Sequence, residues 1–207
     1  MLHRGRRVSI TGKALSVSYL TNASASDTDT ITIPAAAAAG DICVLFNSAI
    51  GPIFVSNDDT PSGFTKIGTG TSGSRRYSLF YKKLVSGNPG ASVTGLTDSS
   101  SLDILIFRPS KACTATGGDF GFQQTDGTPT SQTVTTGSKA APCIALAFCR
   151  SNSAPTTFST GTLDGQFVST YSRVGYRIHN ASPTDNTYGI NDGGTRNALM
   201  TGWVALT

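Results

Sequence analysis

Two histidines, His3 and His179, four cysteines and twelve acids are the chain's stock of reactive side chains, and every acid is an aspartate. Without glutamate, any pair of carboxylates for acid and base work would have to be two aspartates. A Ser-His-Asp arrangement would need His179 with one of many hydroxyls and with Asp185 or Asp192, acids that are near it in sequence only. A strand-end or surface histidine is the simpler reading. Gly68, Gly70 and Gly73 are spaced like a phosphate cradle but no helix-forming stretch follows them, so they read as punctuation of a Ser/Thr turn. No catalytic set emerges, and the chain reads as non-enzymatic.

Metal chemistry has equally thin support. Asp27 with Asp29, and Asp58 with Asp59 beside Asn57, carry the hard oxygen donors that Ca²⁺ takes, but neither set has EF-hand spacing and both read as solvated turns. Neither a metal nor another cofactor is expected. Cys43, Cys113, Cys143 and Cys149 are too irregular for a C-x-x-C site or a disulfide framework. Cys43 and Cys149 sit in apolar runs and read as buried thiols. Cys143 and Cys149 on one strand would stand ~20 Å apart, beyond bonding reach. Cys113, in a polar stretch, is the expected crosslinking thiol, toward Cys143 or another subunit.

Charge supplies two candidate surfaces. Of sixteen basic residues, Arg4, Arg6, Arg7 and Lys13 fall in the first thirteen positions and read as an assembly arm. No recognition module follows, so specific nucleic-acid contact is not expected. The second surface is a strand on which Tyr77 and Tyr81 share a face with Leu79, flanked by Arg75, Arg76 and Lys82. Exposed, that face would dock a protein or a sugar; the alternative puts one face in the core.

The elements that must hold these residues are strands. Ser, Thr, Gly and Pro fill the gaps between short apolar runs and disfavour helix interiors. Val8 to Leu20, Thr30 to Ile33, Asp41 to Phe46, Phe64 to Ile67, Tyr77 to Leu84, Ala91 to Thr94, Leu102 to Phe107, Gln132 to Thr135, Ile144 to Cys149, Val174 to Ile178 and Leu199 to Leu206 read as strands. The runs from Asp41 and from Leu102 are apolar on both faces, hence central. Ala35 to Ala39, between Pro34 and Gly40, is too short for more than a turn. Lys111 to Thr130 reads as irregular. The fold expected is an all-β antiparallel sandwich of the jelly-roll type, with residues 1–20 as a basic arm and first strand and residues 21–207 as one sandwich domain. A chain of 21.4 kDa can bury a real core unaided. No run approaches the ~20 apolar residues of a membrane span, and the first thirteen residues lack the apolar stretch of a secretory signal.

The order of several short motifs resembles a β-sandwich domain of tailed-bacteriophage and prophage virion proteins. These are Ile31-Thr32-Ile33-Pro34, Gly40-Asp41 opening Ile42 to Phe46, Pro61-Ser62-Gly63-Phe64, Tyr81-Lys82-Lys83-Leu84, Gly87-Asn88-Pro89-Gly90, Val93-Thr94-Gly95 and Phe107-Arg108-Pro109. The likeness covers about residues 30 to 110 and carries no catalytic residue. It implies a structural part of a neck, collar, tail, fibre or capsid decoration, assembled in the bacterial host cytoplasm, with other virion proteins or symmetric copies of itself as partners. A carbohydrate-binding module that meets host glycan is the alternative.

Overall fold

The computed structural model of the protein describes residues 14–50, 60–125, 132–136, 142–150, 158–160, 162–169, 172–180, 186–190 and 197–207. His3, the basic positions Arg4, Arg6, Arg7 and Lys13, the Asn57-Asp58-Asp59 loop, Asp185 and Asp192 lie outside the described residues.

All regular structure among the described residues is strand. Up to Pro109 the chain forms β1 (Val17–Ser26), β2 (Ile31–Thr32), β3 (Ile42–Ile50), β4 (Thr65–Ser72), β5 (Arg75–Lys83), β6 (Ser92–Val93) and β7 (Ser99–Pro109). Five of these make a first antiparallel sheet in the order β1-β7-β3-β5-β4, and β2 pairs with β6 alone. The rest of the chain forms β8 (Ala115–Thr125), β9 (Gln132–Thr136), β10 (Cys143–Arg150), β11 (Phe158–Thr160), β12 (Gly165–Val168), β13 (Ser172–His179), β14 (Asn186–Ile190) and β15 (Asn197–Leu206). A second antiparallel sheet runs β12-β13-β10-β15-β8, with β11-β14-β9 as a small third one.

Alternation along the central strands sets the layers. Ile42, Val44 and Phe46 of β3 meet Ile144, Leu146 and Phe148 of β10 in a core between the two large sheets, where the Phe46 and Phe148 rings stack at 5.0 Å. Cys43 and Leu45 face the other way, with Ile104 and Ile106 of β7, under Ile31, Ile33, Phe64, Leu84, Val93 and Leu96. Cys143, Ala145 and Ala147 of β10 likewise face away from the common core, with Trp203, against Phe158 and Leu163. Central strands buried on both faces have to read as continuous apolar runs, which is why Asp41 to Phe46 and Leu102 to Phe107 were legible.

The sandwich expectation holds, whereas the strand order does not establish the jelly-roll wrap. The long strands up to Pro109 stay in one sheet and those after it in the other, with β4 and β5 adjacent in the first rather than divided between two. A second expectation is corrected outright. Within the stretch read as irregular, Ala115–Thr125 is the long strand β8, paired with β15, and residues 126–130 lie outside the described residues.

What stabilises β8 overturns the reading of Gly68 and Gly70 as well. Both lie inside β4, and a Cβ on Gly68 would stand 2.1 Å from the Phe120 ring, one on Gly70 2.2 Å from that of Phe122. The glycines are sockets for two rings across the sheet-to-sheet gap; only Gly73, at φ 55°, turns the chain. In this way the β4 edge of the first sheet is packed against the β8 edge of the second.

Candidate functional site

The tyrosine and arginine surface does not form. Odd positions of β5 face the second sheet, so Tyr77 is fully buried with its ring 5.6 Å from Phe122, and Tyr81 is half-buried with its hydroxyl donating to the Ala115 carbonyl at 3.4 Å. Lys82 occupies the opposite face, 5.5 Å from the Phe64 ring centroid, and donates to the Ser62 carbonyl at 3.3 Å. Arg75 and Arg76 are half-buried at the start of the same strand. The aromatic pair that a sugar-binding face requires is therefore turned toward the second sheet, with Tyr77 in the core and Tyr81 packed against it.

Cys113 and Cys143, expected as crosslinking thiols, are not at the surface. All four cysteines are free and buried. Cys113 lies in the core between the sheets, whereas Cys143 lies on the far face of the second sheet. Cys113 is drawn inward because Thr114 and Thr207 exchange backbone hydrogen bonds at 2.6 and 2.9 Å, while Lys83 Nζ donates to the Cys113 carbonyl at 2.6 Å. Burial pushes the Cys143 thiol up to about 11 and the Cys43 thiol up to about 12, and it raises Cys113 too. Thiols held protonated in this way are poor nucleophiles. The β10 to β13 register places Cys143 opposite His179, a juxtaposition the sequence could not show because the two are brought together only by strand pairing.

Two motif residues meet. Arg108, at the end of β7, grips Asp41, at the start of β3, through Nε to Oδ1 at 2.9 Å and Nη2 to Oδ2 at 2.8 Å. Asp41 is buried, and its Oδ2 also accepts from the Ala38 backbone N–H at 2.8 Å. Gly40, at φ 94°, makes the bend that lets Asp41 turn back on that amide. The fork-to-carboxylate geometry fixes direction as well as distance, so it locks the Ala35 to Ala39 turn onto two neighbouring strands. A cleft of about 310 Å³ beside it is lined by Ala38, Lys83, Arg108 and Lys111 among others.

At the other end of the common core the inward positions become polar. Asp103 of β7 is 3% exposed; its Oδ1 accepts from Ser24 of β1 at 2.5 Å and its Oδ2 from Ser172 of β13 at 2.6 Å and Ser101 at 3.4 Å. Ser172 is in turn hydrogen-bonded to Ser169. Burial raises the Asp103 pKa, while the three hydroxyls and the charge of Arg150 pull it the other way. One carboxyl thus ties the first sheet to the second.

Beyond that end lies an acidic cleft of about 330 Å³ lined by Asp27, Thr28, Asp29, Ile50, Asp98 and Ser99, with Ser100. Asp27 and Asp98 each have φ 52°, a left-handed conformation that Asp tolerates better than most residues. Asp29 Oδ1 accepts from the Ser99 backbone N–H at 2.7 Å. Among the described residues no three His, Cys, Asp or Glu side chains are grouped so as to hold a metal ion, Asp27, Asp29 and Asp98 included. Sequence reading paired Asp27 with Asp29 but missed Asp98, which joins them because β7 runs beside β1. Among the described residues no helix is long and apolar enough to cross a membrane. Comparison with protein-family models, with curated proteins and with solved structures finds no match.

Proposed function

We propose that this chain is a non-enzymatic structural component of a tailed-phage virion, a neck, collar, tail or capsid-decoration part that assembles through protein–protein contacts. The observation that carries the reading is the bidentate grip of Arg108 on Asp41. It joins the Gly40-Asp41 and Phe107-Arg108-Pro109 motifs on which the resemblance rests, and it gives them one architectural job. Motifs that brace strands suit a part whose output is shape. A body built as a sandwich with both large sheets covered on their outer faces suits the same role, since the remaining sheet edges and the basic residues 1–13 are then what is left for neighbours. The glycan reading has lost its exposed aromatic pair and is not favoured.

The test is proteomic. Particles purified on a density gradient from the host lysate should contain the chain in many copies per particle, in constant ratio to the major capsid protein. Its absence from intact particles, with the chain recovered in the soluble lysate, would overturn the proposal.

A further inference from the structure

The acidic cleft lies at the C-terminal end of β1, the basic residues 1–13 precede the strand in sequence, and β1 is an open edge. Of the four edges of the two large sheets, β4 and β8 pack on each other and β12 has only four residues. β1 has ten residues, pairs on one side only with β7, and contains neither charge nor proline; the one edge-blunting feature it has is a register shift between Tyr19 and Thr21. An antiparallel partner is the geometry in which a strand meets its own copy across a two-fold axis.

We infer that β1 pairs antiparallel with β1 of a second copy, and that residues 1–13 of each copy dock in the Asp27, Asp29 and Asp98 cleft of the other. The inference rests on the assembly role proposed above and names the partner as a second copy of this chain. Full overlap of the two strands sets the register. With Val17 opposite Ser26 of the second copy, Ser16 meets Asp27 and Lys13 falls opposite Thr30, beside Asp29, which brings the start of the basic segment to the cleft. Charge complementarity holds in both halves at once, since each copy brings four cations and three carboxylates. The cleft contains donors and acceptors not used within the chain. Asp27 and Asp98 have no side-chain hydrogen bond among the described residues, and Ser99, 6% exposed and lining the cleft, has a buried Oγ without a partner. A buried hydroxyl left unsatisfied marks a place where an incoming N–H would be favoured. Within β1 the pairing brings no like charges together.

Light scattering coupled to size exclusion, on the full chain over a wide concentration range, tests this. The wild type is expected to dimerise at low salt and to dissociate toward 1 M salt, where the screening length is about 3 Å. Reversing the arm (Arg4→Glu, Arg6→Glu, Arg7→Glu, Lys13→Glu) and neutralising the cleft (Asp27→Asn, Asp98→Asn, which keeps a residue tolerant of positive φ) should each raise the dimer dissociation constant about tenfold or more. Combining them should add little, because each set has already removed the same contact. Ser18→Lys with Ser26→Lys, at exposed β1 positions, should break the dimer with the melting temperature of the monomer unchanged. A wild type that stays monomeric, or arm and cleft effects that add in full, overturns the inference. So does an arm reversal that leaves self-association intact and abolishes salt-dependent binding to duplex DNA, which would assign the arm to nucleic acid. Particle proteomics separates this failure from that of the assembly role: a chain present in particles yet monomeric and insensitive to the charge changes sinks only the self-docking.

Discussion

Asp103 is a carboxyl whose chemistry is changed by folding. Burial favours its neutral form, so above the ordinary aspartate value of 3.8 the folded chain keeps a proton that the unfolded chain has released. That proton difference makes its contribution to stability fully present below 3.8 and progressively lost as pH rises through the higher folded value. Asp103→Asn removes the titration and leaves a side chain of the same shape. In urea unfolding, the wild type should therefore lose stability relative to the variant between pH 3.5 and pH 7, and a difference that is flat with pH would show that the hydroxyls of Ser24, Ser101 and Ser172, with Arg150, hold the group ionised. The thiols give a second prediction at this scale. With Cys43 near 12, Cys143 near 11 and Cys113 raised, the native chain at pH 8 should react with a disulfide reagent far more slowly than the same chain in urea, where four thiols become available. Rapid reaction of Cys113 in the native chain would show that its loop opens. The sequence placed Cys43 and Cys149 in apolar runs but could not reveal that Cys113, in a polar stretch, is pulled inward by the Thr114 to Thr207 pairing at the far end of the chain.

Elements were legible where burial is two-sided and obscure where glycine replaces a side chain. β3, β7 and β10 announced themselves as apolar runs, whereas β8 and the middle of β4 were hidden, since their pattern is Gly alternating with polar residues or Phe and makes sense only once the two strands face each other. Gly68 and Gly70 read locally as turn residues; their role is set by Phe120 and Phe122, some fifty residues later in the chain. Gly68→Val and Gly70→Val should each destabilise by roughly 1–3 kcal/mol, the usual cost of overpacking, measured as a drop in urea midpoint. The pairing makes a sharper prediction. Phe120→Ala in the Gly68→Val background should cost less than the sum of the two single changes, because the new side chain then enters the space the ring has left. Additivity would mean that the sheet-to-sheet gap is filled some other way. The acidic cleft follows the same rule: Asp27 and Asp29 were visible as neighbours, and Asp98 was not, because only the β1 to β7 pairing brings it over.

At the scale of the whole molecule the distribution of strands decides how the chain can come apart. The first sheet is built from Val17 to Pro109 and the second from Ala115 to Leu206, so the main core lies between two continuous halves of the chain. Each half alone would expose one complete apolar face, Ile42, Val44, Phe46, Leu79, Leu105 and Phe107 on one side and Ile144, Leu146, Phe148, Val174, Met200 and Val204 on the other. Faces of that size do not stay in water as monomers. The stretch Lys111 to Ala112 that joins the halves is exposed and belongs to no strand, so a break there removes no sheet hydrogen bond. Two genes encoding residues 1–111 and 112–207 should therefore each yield insoluble protein when expressed singly, and a soluble complex with the circular dichroism of the intact chain when expressed together. The Asp103 to Ser172 bond and the Phe120 and Phe122 sockets supply the specificity of rejoining, since each links one fragment to the other. Soluble, folded material from either fragment alone would refute the view that the two sheets depend on each other, and would recast the chain as two sheets that merely lie together.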